Sequence, residues 1–112
     1  MDFALCMIGS GPEPDRHIPA VAVHGDVDAS NADRLRADLA GLAGPAEPGL
    51  VVDLSTVGYF DSAAFAMLDD LLSRLRLAVV IAPGSAVRAA AALMAIPLHD
   101  SVADARTALR GS

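Results

Sequence analysis

The sequence predicts one α/β domain over residues 1–112, built on a mixed, mainly parallel sheet of four to five strands with about four helices. Three observations predict it. From Ala20 onward, short apolar runs alternate with stretches of helical periodicity, the pattern of strands joined by helical crossovers. The first two apolar runs are separated by a proline-rich turn rather than a helix, which places one antiparallel strand in the sheet. Hydrophobic residues make up 54% of the 112, enough for a single core without staples.

The elements follow in order. "FALCMIG" from Phe3 to Gly9 reads as a first strand, with Cys6 as a small buried hydrophobe. "SGPEPDRHIP" is a turn, because prolines at that spacing exclude a helix. "AVAVHGDVD" reads as a second strand, antiparallel to the first. In "SNADRLRADLAGLAG", Leu35, Leu39 and Leu42 recur at helical spacing, with Ser30 or Asn31 as cap and Gly44-Pro45 as stop. "GLVVDLSTVGYF" is nearly continuous in apolar character, as a strand covered on both faces should be.

The next helix, beginning near Ser62, is the best marked. At 100° per residue Ala64, Phe65, Met67, Leu68, Leu71, Leu72 and Leu75 share one sector, and Ser62, Ala66, Asp69, Asp70 and Ser73 fall opposite. "LAVVIAP" is a fourth, buried strand, "SAVRAAAALMA" a small helix and "IPLHD" a short extended piece. "SVADARTALRG" closes the chain as a helix, with Ser101 as cap and Asp104 at its third position.

Composition narrows the function. Fourteen acids stand against eight bases, all arginine, for a net charge of -6. That balance disfavours nucleic acid and anionic lipid, both of which need clustered cations, and leaves a protein with a basic surface as the easier partner. No apolar run approaches a membrane span, the start of the chain lacks a signal-peptide pattern, and the single cysteine suits the cytoplasm. "GSGPEP" lacks the Gly-Lys-Ser/Thr ending of a phosphate loop and is read as a turn. His17, His24 and His99 are scattered singly, without the spacing of a zinc site, and read as surface or strand-end residues. The acids Asp69 and Asp70 fit a solvated helix face. No catalytic constellation, cofactor site or metal site emerges, so the chain reads as non-catalytic.

What stands out is "YFDSAAF", a strand-to-helix turn carrying an acid and a small hydroxyl. By itself Asp61-Ser62 is a helix cap, since Asp and Ser oxygens accept from free backbone N–H groups. A cap is also open to modification. Phe60 reads as core, and Tyr59 equally as core or surface.

Three ordered blocks resemble the STAS domain family, in particular bacterial anti-sigma-factor antagonists. "VAVHGDVDASNADRLRADL" resembles the family's Gly-Glu-Leu-Asp turn and helix. "GLVVDLSTVGYFDSAAFAML" is similar to its apolar strand, Asp-Ser-Ser/Thr-Gly turn and helix. "SAVRAAAALMAIPLHDSVADARTAL" resembles its closing helix, short strand, Asp-Ser and final helix. The resemblance implies a STAS-like fold and a switch. Such proteins bind an anti-sigma factor that is also a serine/threonine kinase, freeing a sigma factor; phosphorylation ends the complex and a phosphatase restores it. Carried over, Ser62 is the phosphoacceptor, Asp61 its motif neighbour, and Asp28 an acid lying beside it.

The partner surface implied comprises Asp28, Tyr59, Asp61, Ser62, Ala63, Ala66, Asp69 and Asp70, on a monomer or weak homodimer. Two positions depart from the family: Ala63 replaces its second hydroxyl and Ala64 its glycine. The latter should favour the helix by about 1 kcal/mol, while its methyl is expected to hinder close backbone approach by a kinase. The alternative reading is a STAS module that binds a small ligand or nucleotide, or serves as an accessory subunit of a transporter, without a phospho-switch.

Overall fold

The structure is a computed structural model that describes residues 2–8, 18–43 and 49–110. Residues 10–17 of the turn read at Ser10–Pro19, His17 among them, and the stop at Gly44-Pro45 lie outside the described residues. Five strands form one sheet: β1 (Phe3–Ile8), β2 (Ala20–Val27), β3 (Leu50–Phe60), β4 (Leu77–Val80) and β5 (Leu98–His99), ordered as they occur in the chain. β1 pairs antiparallel with β2, and every other pair is parallel. Four helices accompany them among the described residues: α1 (Ala32–Ala43), α2 (Ser62–Arg74), α3 (Arg88–Leu93) and α4 (Val102–Arg110). Mixed sheet and helix number are as the sequence predicts.

Because the parallel strands follow in order, right-handed crossovers place α1, α2 and α3 on one face. The buried residues separate accordingly. Val21, Val23, Leu35, Leu39, Leu50, Val52, Leu54, Phe65, Leu68, Val79 and Ile81 form the larger core under these three helices. Ala20, Val51, Ala78 and Val80 point the other way, onto Ala105 and Leu109 of α4. β3 is therefore covered on both faces over Leu50–Val52, which is why its sequence is apolar without alternation there.

Three expectations need correction. Cys6 is exposed, not buried. It lies on the α4 face of β1, but among the described residues α4 packs chiefly over β4, β3 and β5 and does not cover Cys6. Neither Ser30 nor Asn31 caps α1 with a side chain directed along the helix. The Ser30 hydroxyl donates to Asp28 Oδ1 at 2.5 Å and Asn31 Oδ1 accepts from the Asp28 N–H at 2.8 Å, so both close the preceding turn. The third helix is shorter than read, since Ser85 is drawn into a bond from its hydroxyl to the Ser55 carbonyl and Ala95, at φ 60°, ends the helix before Pro97.

Candidate functional site

The site lies where the carboxyl ends of β2 and β3 feed α1 and α2. Two register irregularities in the β2–β3 ladder, between Ala22 and His24 and between Gly25 and Asp26, break the strict alternation of side chains near it. Their outcome is that Val57 and Phe60 point into the core while Gly58 and Tyr59 face out, with Tyr59 54% exposed. Gly25 has φ 100°, and a side chain there would meet the Asp2 carbonyl at 2.3 Å, so the first residue of "GDVD" can only be glycine.

Asp61 ends the strand and caps α2. Its φ/ψ are extended, and Oδ1 accepts from the Ala64 N–H at 2.9 Å. The other oxygen, Oδ2, accepts from the Ala29 N–H at 3.1 Å, and the Asp61 N–H donates to the Val27 carbonyl at 3.2 Å. One carboxylate thus fastens two loops that are 32 residues apart in sequence. Phe60 and Phe65, edge to face at 4.9 Å, anchor the helix start from below.

With residues 60, 64 and 65 facing inward, Ser62 at the first helical position has to face outward, and it is exposed. Ala66 and Asp69 continue that exposed stripe, and Ala63 is half-buried beside it. Ala64 is fully buried, so its methyl points into the core and cannot obstruct an approaching enzyme, contrary to the sequence expectation. Asp70 is also more engaged than expected. It is half-buried and ion-paired with Arg74 at 3.0 Å on its own helix and with Arg36 of α1 at 3.6 Å.

Asp28 sits in the turn before α1, its Oδ1 accepting from the Ser30 N–H and hydroxyl. The Ser30 hydroxyl, then the backbone bond, hold its carboxyl below the usual carboxylate range. Sequence reasoning missed Asn31 as a structural hub, the one polar side chain buried among the described residues. Its Nδ2 donates to the Asp26 carbonyl at 3.1 Å and to Asp2 Oδ1 at 3.2 Å, while Oδ1 holds the Asp28 N–H. An asparagine just before a helix resembles any cap, so only its burial reveals this role. Elsewhere, His24 is exposed against the Thr56 hydroxyl at 2.7 Å and His99 lies half-buried on β5. Among the described residues no three His, Cys, Asp or Glu side chains are grouped to hold a metal, and no helix is long and apolar enough to cross a membrane.

The family described as "Mlab, STAS domain" matches residues 11–96. The chain belongs to the STAS domain family. A comparison with curated proteins returned no match. Two solved structures share the fold of this STAS domain. An anti-sigma factor antagonist from Mycobacterium paratuberculosis matches with a TM-score of 0.74 at 22% identity, over 97% of this chain and 95% of that one. The anti-sigma factor antagonist SpoIIAA in its unphosphorylated form matches with a TM-score of 0.66 at 14% identity, over 97% and 98%.

Proposed function

We propose that this STAS domain is a cytoplasmic anti-sigma-factor antagonist. It binds an anti-sigma factor of the serine/threonine kinase type through the exposed start of α2 and its flanking turn, and phosphorylation of Ser62 releases it. The observation that carries the reading is the position of Ser62: exposed, at the first turn of α2, beside an acid that already caps the helix. The likeness to two antagonist structures supports it.

The physics suits such a switch. A phosphoserine brings a charge of about −1.5 to −2. At a helix N-terminus it gains roughly 0.3–1 kcal/mol from the macrodipole, so the domain stays folded. A bound partner meets a different change. A double charge about 6 Å from an acid costs on the order of 1–5 kcal/mol, and burying an unpaired phosphate adds to that. Asp28 and Asp61 supply acids on this side. A few kcal/mol is a hundredfold or greater loss of affinity.

The small-ligand alternative has less support. In open α/β sheets, ligands settle at a reversal of strand order, where helices diverge to opposite faces. The parallel strands here run β2-β3-β4-β5 without reversal. Incubation with a cognate anti-sigma kinase and ATP tests the proposal on wild type, Ser62→Ala and Ser62→Asp. Wild type alone should gain phosphate and dissociate, and Ser62→Ala should stay bound. Equal binding by all three with no modification contradicts the switch.

A further inference from the structure

We propose that β1 is a self-association edge, joining two copies of this chain through an antiparallel β1–β1 pair centred on Leu5. The two edges of the sheet differ. β5 has two residues next to Pro97, whereas β1 runs for six, "FALCMI", with no charge, proline or glycine to blunt it. Among the described residues no further strand pairs with its outer side, where the Phe3 N–H donates to Asp2 Oδ1 at 2.8 Å.

The register of the β1–β2 ladder defines what that edge offers. Continued one step beyond Phe3↔Gly25, the register sets Asp2 opposite Asp26, and the Asp26 N–H donates to the Asp2 carbonyl at 3.0 Å. Bonded pairs therefore recur at Ala4, Cys6 and Ile8, and the backbone groups of Phe3, Leu5 and Met7 point away from the sheet. Such a row is self-complementary about a two-fold axis. With the axis at Leu5, that residue bonds its own copy, Phe3 faces Met7 of the second copy, and Ala4 faces Cys6 of the second copy in a close pair without backbone bonds.

Charge agrees with this register. α1 runs alongside β1, so Arg34 lies over the Phe3 ring, at 4.5 Å, and Asp38 lies beside Leu5 and Met7. Inverting one copy brings Arg34, which also pairs with Asp2 of its own chain, opposite Asp38 of the other, twice. The side chains also have a place to go. A groove of about 330 Å³ lined by Leu5, Met7, Asp38 and Leu42 opens at this edge, and Met7 is 53% exposed there. One strand pair is smaller than a standard interface, so the association is weak and depends on concentration.

Sedimentation of the whole chain from about 10 µM to 1 mM tests this, the range in which an interface below standard size forms. Wild type should shift toward dimer. Met7→Pro removes an outward N–H without touching the β1–β2 bonds, and should weaken association at least tenfold while its circular dichroism stays that of wild type. Ala4→Cys places a thiol opposite Cys6 of the second copy, at a separation a disulfide can span, and should give a covalent dimer under mild oxidation far faster than wild type, which carries Cys6 alone. A wild type that stays monomeric to 1 mM overturns the proposal. So does Ala4→Cys crosslinking no faster than wild type, a result that decides the matter even if Met7→Pro fails to fold.

Discussion

Replacing Asp61 with alanine removes both bonds of one carboxylate. The cap to the Ala64 N–H is worth about 1 kcal/mol, by the cost of alanine at such positions. The bond from the exposed Ala29 N–H, made to a charged oxygen of the half-buried Asp61, is worth about 1–2 kcal/mol. Asp61→Ala should therefore destabilise by about 2–3 kcal/mol, which in a domain this size lowers Tm by roughly 8–12 °C. Asp61→Asn separates the two bonds. Its carbonyl can still accept from Ala64, but its NH2 meets the Ala29 N–H donor to donor, so a loss of about 1 kcal/mol is expected. Urea unfolding followed by circular dichroism gives both values at constant m. If both variants unfold within about 0.5 kcal/mol of wild type, or if asparagine costs as much as alanine, the two-loop clasp does not exist as described.

Other substitutions probe the site more briefly. Ser62→Asp adds a negative charge at the first turn of α2 and should leave Tm unchanged or raise it slightly, as thermal melting will show. Asn31→Ala strands the Asp26 carbonyl and the Asp28 N–H, and should cost about 2–4 kcal/mol in urea unfolding. Acid stability follows from Asp2 and Asp28. Asp2 is held low by the Phe3 N–H and then by Arg34, and Asp28 by Ser30. Both bind protons more weakly in the folded state, so their stabilisation is complete above the unfolded value near pH 4 and is lost as pH falls through the lower folded values. Asp2→Asn and Asp28→Asn should each flatten the drop in urea midpoint between about pH 5 and pH 3.

Much of the architecture was legible in the residues. The sector of apolar residues from Ala64 to Leu75 oriented α2 correctly, which sufficed to place Ser62 and Asp69 in solvent. Unbroken apolar character in Leu50–Val52 correctly signalled a strand covered on both faces. Periodicity does not say how far a covering helix reaches, and so the residues suggest a buried Cys6 although α4 does not cover it. Nor does it locate register shifts. The irregularities in β2–β3 decided that Tyr59 faces out and Phe60 in, where the sequence left Tyr59 open. Hydrogen bonds across sequence distance were also invisible. Asp61 was legible as a cap from its position, but its bond from Ala29 and the inward turn of Asn31 depend on how two loops meet.

The affinity of an anti-sigma kinase for this domain, measured by calorimetry with unmodified protein and with protein phosphorylated at position 62, bears most directly on the proposed switch. A fall of about a hundredfold or more, with both forms equally folded, is the predicted result. Equal affinities would contradict it.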